Sequence, residues 1–115
     1  MLPSSRRVSR TQFDTLLKRS QSVHSSHFSL RYAPLPEDIT PSRVSVVVSS
    51  QVCKKAHDRN LLKRRIRSAV ESQLKTVKNG SVLVFFAKKT ARDLDFKGIS
   101  EEVVLLLRNT PLVVL

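Results

Sequence analysis

Apolar residues recur along this chain with two alternating periods, near 3.6 and near 2, and they divide it into six predicted elements. Thr11 stands as an N-cap before Phe13, Leu16 and Leu17 at i, i+3 and i+4, which predicts a first helix ended by Ser20-Gln21-Ser22. Over 27–32, Phe28, Leu30 and Tyr32 alternate with His27, Ser29 and Arg31, the pattern of a strand with one buried face. Pro34, Pro36 and Pro41, with Glu37-Asp38, mark a loop. Val44, Val46 and Val48 then alternate within a β-branched run over 43–50, a second strand. Leu62, Ile66, Ala69 and Val70 return to helical spacing and predict a helix from Ala56 to Leu74, with Asn79-Gly80 closing the connection after it. The short continuous apolar run 81–87 reads as a buried strand. Ser100 is placed to cap a last helix, with Glu101 and Glu102 where the helix dipole favours acids and Val103, Val104, Leu106 and Leu107 inside. Pro111 stops it before Leu112-Val113-Val114-Leu115. The order α-β-β-α-β-α predicts an α+β fold in which helices pack on a small sheet. The whole of 1–115 is expected to form one domain, with 1–8 and 111–115 as loose ends.

Charge changes the meaning of the central helix. The fourteen residues from Lys54 to Arg67 carry seven Lys or Arg and one acid. At 100° per residue, Arg59, Asn60, Lys63, Arg64 and Arg67 share a face beside the apolar stripe. A solvated helix face usually interleaves acids at i,i+4, but here only Asp58 and Glu71 flank the cluster. Asn60 adds an amide able to donate and accept, suited to a sugar hydroxyl or a base edge. Over the chain, 21 Lys and Arg against 9 acids leave a formal charge of +12. Six cations lie in 1–36, seven in 54–67 and six in 75–97, so the binding surface is broad rather than a basic tail. Such an excess repels itself in the compact state and points to a polyanionic partner, RNA first.

Catalytic chemistry has little support in this sequence. His24, His27 and His57 are not at metal-ligand spacing, and no Ser/His/Asp or Cys/His grouping has a supporting motif. His57 and Asp58, adjacent on a helix, project about 100° apart and cannot easily cooperate. Asp93 and Asp95 lie among Lys88, Lys89, Arg92 and Lys97, where ion pairing is the expected role. A single cysteine, Cys53, excludes an intrachain disulfide and any zinc site needing two thiolates. No segment reaches the ~20 apolar residues of a membrane span, and the N-terminus has no apolar signal region. The chain reads as cytoplasmic, with no membrane or protein partner implied.

Ala56-His57-Asp58-Arg59-Asn60-x-x-Lys63-Arg64-x-x-Arg67, placed after a valine-rich strand, resembles the signature helix of the bacterial ribonuclease P protein subunit, Arg-Asn-Arg-x-Lys-Arg-x-x-Arg. Arg7 and Phe13, Phe28-Ser29-Leu30, Val82 to Lys88, and Leu94 with Ser100 match the same family in order, so the resemblance covers nearly the whole chain. It implies a left-handed βαβ crossover through the basic helix, against the usual right-handed rule. It also implies a protein subunit of an endoribonuclease that removes the 5′ leader of precursor tRNA. The hydrolysis would belong to a large catalytic RNA and its Mg²⁺, with no catalytic residue and no metal site on this chain. Arg59, Asn60, Lys63, Arg64 and Arg67 would contact the catalytic RNA, and Lys54 and Lys55 match a basic pair some members carry before the helix. A cleft between the first helix and the sheet would take the leader, with Phe13, Leu17, Phe28 and Arg31 at matching positions.

Departures from the family pattern shift these expectations. Leu61 replaces the second Arg of Arg-Asn-Arg, Leu17 a frequent Phe, Arg31 a common strand Tyr and Ser50-Gln51 a usual Lys-Lys. Leader recognition is therefore expected to lean on charge more than on stacking. The alternative is a ribosomal or other structural RNA-binding protein without a role in cleavage, which accounts for size and charge but not for the helix motif after a strand. A stand-alone nuclease would need a carboxylate or histidine cluster that the sequence lacks.

Overall fold

Strand 81–87 is apolar at nearly every position because it runs through the middle of the sheet and is covered on both faces. In the computed structural model the described residues are Asp14, Lys18, 20–34, 42–77 and 80–111. They form strands β1 (Gln21–His24), β2 (Phe28–Pro34), β3 (Arg43–Val47) and β4 (Ser81–Ala87), and helices α1 (Ala56–Glu71) and α2 (Phe96–Arg108). Short 3₁₀ turns occupy Leu74–Thr76 and Lys89–Asp93. The sheet order is β1-β2-β4-β3. β4 runs antiparallel to β2 and parallel to β3, so α1 is the crossover between two parallel neighbours. Gly80, at φ +85°, makes the left-handed turn into β4, a conformation a Cβ would strain.

Alternation sorts the strand side chains into two faces. On one, Phe28, Leu30, Tyr32, Val44, Val46, Leu83 and Phe85 join the buried residues of both helices in the main core. α1 gives Leu62, Ile66, Ala69 and Val70 to it, the four positions its spacing predicts, and α2 gives Ile99, Val103, Leu106 and Leu107. The helices pack on each other, α1 against β3 and α2 against β2. The other face carries a smaller apolar cluster of Ala33, Val82 and Val84, with Val47 and Phe86 half-buried beside it. The α+β class expected from the sequence is therefore observed, as a four-stranded mixed sheet with two helices.

Several expected elements are corrected. Gln21–His24 is a strand, not the end of a helix: only Val23 packs inward, and β1 pairs with β2 as an edge. The strand expected over 27–32 runs to Pro34, and the one expected over 43–50 ends at Val47. α1 stops at Glu71, and Leu74 enters the core from a 3₁₀ turn instead. The last helix begins four residues before Ser100, capped by Asp95, whose Oδ1 accepts the Gly98 N–H at 2.8 Å. The helix expected after Thr11 lies outside the described residues except for Asp14 and Lys18, which are helical and exposed, as do 1–8 and 112–115.

A second anchor joins sheet to helix. Glu102 of α2 reaches the β1–β2 turn, where Oε2 accepts from Ser25 Oγ at 2.5 Å and from the His27 N–H at 3.2 Å, while Oε1 pairs with His27 Nδ1. Lys88 donates to the Ser25 carbonyl at 2.6 Å. Burial pushes the Glu102 pKa up, but the hydrogen bonds from Ser25 and His27 and the His27 charge outweigh it, and the net shift is downward.

Candidate nucleic-acid interface

α1 is held by its apolar stripe, and that fixes what its other faces present. Asn60 and Arg64 are exposed, and Lys63 and Arg67 half-exposed. Among the described residues none of these cations lies within 4 Å of a carboxylate; the ion pairs found are His27–Glu102 and Arg92–Asp93. The expected cationic row is present and unneutralised. A groove of about 640 Å³ follows it, lined by His57, Asn60, Arg64, Arg67, Ser68 and Glu71. Accessible guanidinium groups with no described carboxylate within 4 Å, and an amide on the same face, are suited to phosphate oxygens and sugar hydroxyls.

Arg59 sits differently from the rest of the row. It is half-buried, and its Nη1 donates to the Cys53 carbonyl at 3.0 Å and the Lys54 carbonyl at 2.7 Å. The guanidinium braces the loop that holds Lys54 and Lys55, both exposed, at the start of the helix. Spacing alone could not show this, because the acceptors are backbone carbonyls of a loop.

The second face of the sheet presents an ordered array. One rung runs His24, Ser29, Phe86, Val47 and the next Ser22, Arg31, Val84, Ser45. His24 Nδ1 and Ser29 Oγ are hydrogen-bonded at 2.8 Å. Arg31 is half-exposed on this face, one rung from the half-exposed ring of Phe86. Phe28, expected at a leader cleft, is 0% exposed and points into the main core on the opposite side of β2 from Arg31. It cannot stack on a base there; its role is packing. Phe86 is the aromatic of this face that sequence reasoning missed. The continuous apolar run 81–87 hides which alternate set is outward, and only the register against Ser29 reveals it. Phe13 and Leu17 lie outside the described residues.

Among the described residues no group of three or more His, Cys, Asp or Glu could hold a metal ion. The Asp95 carboxylate caps α2, and Asp93 lies 4.0 Å from Arg92. Cys53 is a free, buried thiol in the core. No described helix is long and apolar enough to cross a membrane.

A small mixed sheet carrying a crossover helix with a bare cationic face defines an α+β protein built to hold a polyanion. The sequence profile of the family Ribonuclease P matches residues 2–110, and the chain belongs to that family. It is 34% identical over 73 residues to the ribonuclease P protein component of a Picosynechococcus species, covering 64% of this chain and 63% of that protein. It is 29% identical over 117 residues to the same component of a Synechococcus species, covering 99% and 88%. The Staphylococcus aureus RNase P protein shares the fold at a TM-score of 0.82 and 20% identity, over 96% of this chain and 99% of that one. The Thermotoga maritima RNase P protein does so at 0.78 and 25%, over 90% and 97%. The chain is thus a protein component of ribonuclease P, an endoribonuclease of tRNA processing that works as a ribonucleoprotein. The alternative of a ribosomal or other structural RNA-binding protein has no support in these likenesses.

Proposed function

We propose that the chain binds the catalytic RNA through Asn60, Lys63, Arg64 and Arg67, with Lys54 and Lys55 held in place by Arg59. The half-exposed positions of the second sheet face, Arg31 and Phe86, take the single-stranded 5′ leader of precursor tRNA. The observation that carries this reading is the row of unneutralised cations on α1 at the positions of the family's helix motif. Arg31 supplies charge to the leader and Phe86 a ring on which a base can stack, a contact worth on the order of 1–3 kcal/mol. The chemistry is assigned to the RNA and its Mg²⁺. Asp95 caps its helix, and among the described residues neither it nor Asp93 joins a group of three or more potential metal ligands, so these carboxylates do not fit the part of Mg²⁺ ligands. The protein's contribution is positioning: it holds leader and RNA together and lowers the repulsion between two polyanions.

Reconstitution tests this. The purified chain, added to a bacterial ribonuclease P RNA at low Mg²⁺, is expected to restore cleavage of a leader-bearing precursor tRNA and to show none alone. Failure to restore cleavage, or cutting by a rigorously RNA-free preparation, would sink the assignment.

A further inference from the structure

Six cations between Lys75 and Lys97 have no part in the row on α1, and the fold brings one of them, Arg92, to the helix from its other side. The turn Lys89–Asp93 follows β4 and faces the N-terminal half of α1. Between them lies a pocket of about 440 Å³ whose cations are Lys54, Lys55, Arg65 and Arg92. Buried Val52 and Leu62 also line it. Asp58 and Asp93 share the wall, so the four cations outnumber the carboxylates there by two. Arg92 and Asp93 are 4.0 Å apart and their side chains are 62% and 81% exposed, a pair too solvated to cancel either charge.

Around the helix axis Arg65 is about 160° from Lys63 and Arg67, about 140° from Asn60 and about 100° from Arg64. An RNA strand lying along Lys63 and Arg67 cannot reach it without wrapping a cylinder roughly 10 Å across. The charge on this flank needs a different anion. We propose that this pocket is a second nucleic-acid contact, taking a backbone phosphate of an RNA segment distinct from the one along Asn60, Arg64 and Arg67. α1 is then clasped from both shoulders, and the protein bridges two segments of its RNA. The inference rests on the reading that the partner is the catalytic RNA.

Equilibrium binding of the full chain to ribonuclease P RNA between 50 and 200 mM KCl separates the two surfaces. Arg65→Gln with Arg92→Gln is expected to flatten the slope of log K against log salt by about 0.7–0.9, roughly a threefold change in the affinity ratio across that range. Arg64→Gln with Arg67→Gln should flatten it independently, and the four changes together additively. Asp58→Asn with Asp93→Asn is expected to tighten binding. If the Arg65/Arg92 pair leaves the slope unchanged while the Arg64/Arg67 pair alters it, the second contact is overturned and the proposed function stands. If neither pair alters it, both readings fall. A nucleoside monophosphate titrated into the labelled protein gives the other source of the same phosphate chemistry. Displacement by the RNA supports the assignment, and a saturable site that the RNA does not displace overturns it.

Discussion

Arg31 and Glu102 show how much a single position can carry in so small a fold. Arg31 sits between Ser22 and Val84 on the rung of the second sheet face, half-exposed, with little packing to lose. Arg31→Ala is expected to leave the thermal midpoint nearly unchanged and to raise Kd for precursor tRNA with a leader, but not for mature tRNA. Measuring both substrates on the reconstituted holoenzyme decides it; equal losses would move Arg31 to the RNA or the tRNA body. Glu102 is a structural matter. Its pKa lies below the ordinary value of 4.5 in the folded protein, so it binds its proton more weakly folded than unfolded. The stability it adds is complete above that ordinary value and is lost as pH falls through the folded pKa. Glu102→Gln should cost about 1–3 kcal/mol at pH 7, and the gap from the parent should close below pH 4.5. A gap of constant size down the acid limb would mean that the carboxylate charge contributes nothing.

At the scale of elements, what could be read in advance depended on whether one face was buried and the other wet. α1 was legible because its apolar positions have one period and its cations another face, and all four expected core residues are buried. β1 was not, because an edge strand with one inward residue, Val23, has no alternation to detect. The sheet's second face is half legible: alternation in β2 sets Arg31 on it and Phe28 opposite, in the core, where the family resemblance alone offered Phe28 to the cleft, but Phe86 requires the register of β4. The start of α2 was missed because Ser100 and Asp95 are both good caps by residue type, and only the bond to Gly98 distinguishes them. Asp95→Ala should therefore destabilise by about 0.5–2 kcal/mol, whereas Ser100→Ala, already inside the helix, should be close to neutral in the same denaturant titration. The reverse order would put the helix start back at Ser100.

The whole molecule carries a charge of +12, and none of the described cations of α1 lies within 4 Å of a described carboxylate. Without RNA that charge works against the compact state. Raising ionic strength from 0.01 to 0.1 M shortens the Debye length from about 30 to about 10 Å, so the free protein's thermal midpoint should rise over that range. A midpoint indifferent to salt would show that the charges are too far apart to repel measurably. The order of the strands in the sheet has a consequence for how the chain is made. Among the described strands β2 and β3 are joined through β4, which is the last of them in the chain. A nascent chain that has not yet released residues 81–87 therefore exposes the complete cationic helix while its sheet is still divided between the β1–β2 hairpin and an unpaired β3. The helix proposed to hold RNA is thus complete ahead of its full scaffold, while the chain is still attached to a particle that is itself largely RNA.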